Sequence, residues 1–158
     1  MNANEKVLIY KGIDKIKRKQ NEEALEIFDK VISMNNQIPE AWNNKGVALF
    51  QLGRINESLE CYDRSLAIDP TNIEAKRNKG FALVSIGRLE DALECFNSVL
   101  KNGGDALDME SKATVLMGLG KYQEALDCMM QAVKIMPINR FENEIEVLKS
   151  MIQQKKNS

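Results

Sequence analysis

The feature that most constrains this chain is a repeat held in one register. Asn44, Lys45 and Gly46 recur as Asn78, Lys79 and Gly80, with Lys11 and Gly12 standing before both at the same spacing of 34 residues. Downstream, Leu52 through Tyr62 aligns without a gap on Ile86 through Phe96. A third stretch, Leu119 through Met129, is displaced by 33 residues, so one residue is missing; the loop Lys101 to Asp105 is where the reading places the loss. Backwards along the chain, Ala24 to Phe28 occupies the columns of Ser58 to Tyr62, which makes four copies over about 5–38, 39–72, 73–105 and 106–139. A copy this short cannot bury an apolar face alone, so neighbours must stack.

Within a copy the apolar residues step by three and four, as in Ala24, Phe28, Val31 and again Ala92, Phe96, Val99, the spacing of one helical face. Each copy therefore holds two helices. Gly53, Gly87 and Gly120 mark the break between them, where positive φ can close a helix. Pro70 and Pro137 mark breaks between copies. Small residues at Gly12, Gly46, Gly80 and Ala113 let paired helices approach, and Phe28, Tyr62, Phe96 and Met129 fill the space between them. After the fourth copy, Phe141, Ile145, Leu148 and Ile152 share one face of a further helix, over about 140–155, with Glu142, Glu146, Lys149 and Gln153 turned away. The expectation is an all-α chain of nine helices without a strand, forming a single repeat domain over 1–158.

Composition removes most chemistries. There is no histidine, which takes away the usual general base and the commonest metal ligand. Lys plus Arg is 22 against 23 for Asp plus Glu, so the net charge of -1 offers no grip on nucleic acid or an anionic membrane. Cys61, Cys95 and Cys128 are odd in number and share one column, which reads as free thiols one repeat apart and not as a disulfide or a zinc site. No apolar run reaches a membrane span, and the first residues lack a secretory pattern, so the expected location is cytoplasmic. Gly118 to Lys121 lacks the earlier glycine and the Ser or Thr of a phosphate loop. Asp108 and Glu110, or Glu142 and Glu144, are two apart and point to different sides of a helix, so no acid/base pair is indicated. No catalytic residue, metal site or cofactor is expected, and the chain is read as a non-enzyme. The lysine column Lys11, Lys45, Lys79, Lys112 reads as solvated side chains packed along neighbouring helices.

Trp42, Gly46, Leu49, Gly53, Tyr62 and Pro70 in the second copy stand at the spacing of the tetratricopeptide signature, which the repeat as a whole resembles. Ser58 and Ser65 stand where that family prefers alanine, and the third copy has Lys76 in the Trp42 column. The first copy is the weakest, with Lys15 in the Leu49 column and Asn36 in the Pro70 column. The resemblance implies an α-α superhelix, a right-handed solenoid of four repeats closed by a capping helix, with Trp42 packed between repeats. It also implies that the first helix of each repeat lines a concave surface. The columns facing it hold Tyr10, Asn44, Asn78, Ser111; Ile13, Val47, Phe81, Thr114; Ile16, Phe50, Val84, Met117; and, beside them, Ile9, Asn43, Arg77, Glu110.

The candidate groove is therefore Asn43, Asn44, Val47, Phe50, Arg77, Asn78, Phe81, Val84 and Met117. Asparagine offers a donor and an acceptor together, so the amides match both groups of a peptide bond. The function read from this is a scaffold that binds a peptide segment of another protein. Relatives that bind acidic chaperone tails resemble one another in a clamp of Lys, Arg and Asn; the corresponding columns here hold Ile9, Ile13, Asn44, Glu74 and Asn78, so the clamp is absent. The alternative is a self-associating structural protein, a weak homo-oligomer through its terminal helices, because Val147 and Met151 lie off the Phe141 stripe.

Overall fold

A computed structural model describes residues 1–157. Among the described residues there are nine α-helices and no strand: α1 (Ala3–Lys17), α2 (Asn21–Met34), α3 (Pro39–Gln51), α4 (Ile55–Ile68), α5 (Ile73–Ser85), α6 (Leu89–Lys101), α7 (Ala106–Gly118), α8 (Tyr122–Ile135) and α9 (Asn139–Asn157). The all-α expectation is met.

The hairpin turns follow one design. Arg54 N–H donates to the Leu49 carbonyl and Gly53 N–H to the Phe50 carbonyl, both at 2.9 Å, while Gly53 takes φ 76. This pairing satisfies carbonyls that the end of α3 leaves orphaned. Gly87 and Gly120 repeat it with φ 75 and 70. In the first copy the position is Lys19, a side-chain-bearing residue at φ 60, and Gln20 N–H still reaches the Lys15 carbonyl at 2.9 Å. The sequence reading did not mark this turn, because it looked for glycine.

The missing residue comes out of α6, which has 13 residues where α4 has 14. Helices α2, α4 and α8 end on an extended residue, whereas α6 closes through Gly103 at φ 100, with Gly104 N–H on the Val99 carbonyl at 3.0 Å. Asp105 then caps α7, accepting from Leu107 and Asp108 N–H, while Asp108 accepts from Asp105 N–H at 2.9 Å.

By packing, the chain forms two units, Met1–Ala82 and the remainder from Leu83, with the division inside α5. In the first, α1 packs on α2, α2 on α3 and α3 on α4, and α1 also touches α3. Ala24, Phe28, Leu49 and Cys61 belong to its core. A Cβ on Gly12 would lie 2.5 Å from the Phe28 ring, and one on Gly46 would lie 2.6 Å from Tyr62. The pairing of a small and a large column is thus realised atom on atom. Ser65 is fully buried because its hydroxyl donates to the Pro39 carbonyl at 2.9 Å, a bond that alanine could not make.

One expectation is met with a qualification here, and one changes. Trp42 is only half-buried: its indole N–H donates to the Asn36 carbonyl at 2.9 Å, and its ring lines an open cleft with Ile32, Ala67 and Ile68. The ring still packs on the core that the first and second copies share, between repeats as the resemblance implies, with one side left open. The lysine column is also less free than expected, since Lys45 pairs with Asp29 and Lys79 with Asp63, each at 2.6 Å. The aspartates sit on the second helix of one copy and the lysines on the first helix of the next, so the charges tie successive copies.

In the second unit α6 packs on α7, α7 on α8 and α8 on α9. Phe141 and Leu148 are fully buried, and Ile145 nearly so, against Leu116, Met129 and Ala132. Burial is worth about 1.5 to 3 kcal/mol for each large apolar side chain, so α9 is an integral layer of this unit. Ile152 is half-buried beside it, while Val147 is 52% exposed.

Candidate functional site

In the first unit, α1, α3 and the opening of α5 carry the columns read from sequence. Val47 and Phe50 are half-buried, Val47 packing along the core, and Phe81 is 43% exposed. The amides do not stand open as a row. Asn43 is 2% exposed, and its Oδ1 accepts from Asn78 Nδ2 at 3.0 Å. Asn44 Nδ2 donates to the Glu40 carbonyl at 2.7 Å. Asn43 is thereby a buried link between α3 and α5, and Asn44 and Asn78 each commit an N–H within the protein. Arg77 is half-buried and engaged.

A cleft of about 310 Å³ opens on these helices. Its apolar floor is Ile9 and Ile13, and Tyr10 stands 71% exposed at its side. Asn44 lines it, Glu40 and Glu74 supply exposed carboxylates, and Lys6 is a cation in the same lining. Of the candidate residues only Asn44 lines this cleft. Tyr10 and Ile13 stand in the facing columns but outside the candidate set, and Glu40 lies outside every column.

The second unit carries Val84 and Met117. Both are half-buried, and Met117 packs on the core of α7 to α9. Ser111 and Thr114 turn their hydroxyls back to the Leu107 and Glu110 carbonyls at 2.9 and 3.0 Å, satisfying themselves on their own helix. The local chemistry at this face lies at Glu110, whose carboxylate receives Arg140 Nη2 at 2.6 Å. Burial, and then the hydrogen-bonded Glu110 charge, push the Glu144 carboxyl above the usual carboxylate range, with Arg140 pulling it down. A carboxyl pair thus exists, between α7 and α9; neighbour-by-neighbour inspection of the sequence missed it because the partners are one repeat apart. Its groups are spent on one another and on Arg140.

Cys61 is buried, which pushes its thiol to about 11, and burial also raises Cys128. Neither is an activated nucleophile. Among the described residues no group of three or more Cys, Asp or Glu is placed to hold a metal ion, and no helix is long and apolar enough to cross a membrane.

Residues 39–72 and 110–139 each match the tetratricopeptide repeat family. The chain is a tetratricopeptide-repeat protein. The matched copies are the second and the fourth, the first of them with the boundaries read from the repeat register. Solved structures share the fold over most of the chain. MamA (41–end) from Desulfovibrio magneticus RS-1 aligns with a TM-score of 0.87 at 21% identity, over 99% of this chain and 90% of that one. TTC0263, a thermophilic tetratricopeptide protein of Thermus thermophilus, gives 0.75 at 14% identity, over 94% and 81%. The first tetratricopeptide domain of Spaghetti (RPAP3), bound to the HSP90 peptide SRMEEVD, gives 0.71 at 20% identity, over 73% and 93%. At such identities the likeness is one of fold. No curated protein matches the sequence.

Proposed function

We propose that this tetratricopeptide-repeat protein is a non-catalytic interaction module that receives a peptide segment of a partner protein on the face formed by the first helices of its repeats. The observation that carries this reading is the cleft over Ile9 and Ile13. It joins an apolar floor to an exposed tyrosine and to polar groups at its edge, the composition of a site that takes side chains out of water and orients them by a few polar contacts. Phe81, 43% exposed on α5 in the same unit, adds an apolar side chain on another first helix. A bound HSP90 peptide on a protein of the same fold supports the class of ligand. Selection from a displayed library of random dodecapeptides, followed by titration of the selected peptides, tests the reading: Tyr10→Ala and Phe81→Ala should each weaken them. Peptides that bind both variants as tightly as the native protein would place the binding surface elsewhere.

A second reading, self-association, is favoured by the 52% exposure of Val147 on α9, together with Met130 and Ile135 at 45% and 63% on α8. Light scattering over a dilution series distinguishes it, because a homo-oligomer loses mass on dilution and a monomeric module does not.

A further inference from the structure

Resting on the peptide-groove reading, we propose that the Ile9 and Ile13 cleft selects a segment that places a lysine or arginine side chain beside an aliphatic one, the cation meeting Glu40 and Glu74 and the aliphatic group lying on the floor by Tyr10. The polarity of the lining supports this choice. The Glu40 carbonyl can only accept a hydrogen bond, so the Asn44 atom facing it must be the NH₂ nitrogen. The Asn44 carboxamide oxygen then remains as an acceptor. Asn78 likewise turns its nitrogen inward, to Asn43 Oδ1. Each amide keeps one N–H and its oxygen, and the Glu40 and Glu74 carboxylates add acceptors only, so acceptors outnumber donors on this face, where a site for a carboxylate or phosphate would need donors.

The charges run the same way. Lys6 balances one of the carboxylates Glu40 and Glu74, and the Met1 ammonium, the cleft's other cation, stands 4.0 Å from Glu5. Counted with Glu5, the cleft and its edge carry three carboxylates against two cations, an excess of one negative charge. An incoming anion would find the Lys6 ammonium already facing two carboxylates and would meet that excess; a neutral apolar segment would strip water from two carboxylates and return nothing. A guanidinium or ammonium returns charge-assisted hydrogen bonds, and its alkyl stem can lie on Ile9 and Ile13 with the Tyr10 ring within reach of the charge. At about 310 Å³ the cleft suits one or two side chains of a longer segment and not a large free ligand.

The peptides selected from the random library provide the test, after resynthesis with acetylated N-termini so that side chains are the only cations. The expected result is enrichment of Lys or Arg next to Leu, Ile or Met. Replacing that cation by Gln should weaken binding about fivefold to tenfold, as should E74Q or E40Q in the protein, with the two losses not adding in the combined experiment. Selected peptides that lose affinity on Tyr10→Ala yet carry no cation, or that ignore E40Q and E74Q, would overturn the charge inference while leaving the groove in place. Peptides indifferent to Tyr10→Ala and Phe81→Ala, or a selection that enriches nothing, would overturn both.

Discussion

Lys19 holds a left-handed conformation at φ 60, the place that Gly53, Gly87 and Gly120 fill in their own turns. A side chain there costs about 1 to 2 kcal/mol of backbone strain, part of which glycine gives back as unfolded-state entropy. Lys19→Gly is therefore expected to stabilise the protein by about 0.5 to 1 kcal/mol, read from denaturant midpoints at constant slope; a loss of stability would show that the Lys19 side chain contributes more than its strain costs. The opposite outcome is expected at Gly46. Alanine is the better helix former by about 1 kcal/mol, but its Cβ would sit 2.6 Å from the fully packed Tyr62 ring. Displacing that ring should dominate, for a net loss of about 1 to 2 kcal/mol in thermal or denaturant unfolding. Both residues stand in columns that the repeat makes visible, yet only the first is anomalous in sequence, and only the coordinates say that its backbone obeys the column.

Among the elements, α9 has the most to lose. Deleting residues 140–158 uncovers the surface on which Phe141, Ile145 and Leu148 are buried, so the truncated chain should aggregate or melt at a lower temperature. A truncated protein that scatters light and melts like the native one would contradict the packing. The same helix carries a pH effect. The folded-state pKa of Glu144 is raised, first by burial and then by Glu110. Its contribution to stability is thus fully present below the unfolded carboxylate range and is lost as pH rises through the folded value. Glu144→Gln keeps a neutral hydrogen-bonding group at all pH values, so it should gain on the native protein in melting temperature as pH rises from 4 to 7, roughly following carboxyl titration. A melting difference between the two proteins that is flat over that interval would remove the Glu144 explanation. The helix itself is legible in its apolar stripe, whereas the Glu110 and Glu144 contact is not, because the partners lie on different helices.

For the whole molecule, a repeat fold does not carry a ligand preference with it. The HSP90 peptide SRMEEVD occupies the tetratricopeptide domain of Spaghetti (RPAP3), and its acidic end is the kind of group that Lys and Arg bind by charge-assisted hydrogen bonds. The unit containing α1 to α4 instead presents Glu40 and Glu74 at its cleft. Calorimetry with SRMEEVD is expected to show no binding at about tens of micromolar; micromolar affinity that vanishes on Asn44→Ala would reverse the electrostatic account.

Repeat spacing, helical periodicity and the alternation of small and large columns determined, from the sequence alone, how many helices form, the hairpin turns at Gly53, Gly87 and Gly120, and which apolar columns face inward. These follow from contacts that recur once per copy, so the chain states them several times over and one degenerate copy does not hide them. The site is a different kind of information. Whether Asn44 shows a neighbour its nitrogen or its oxygen, whether Asn43 is a ligand or a buried tie, and whether Trp42 is enclosed depend on single hydrogen bonds and on how much surface an adjacent helix covers. Those are properties of one place in three dimensions. They occur once, between residues far apart in the chain, and no periodicity records them.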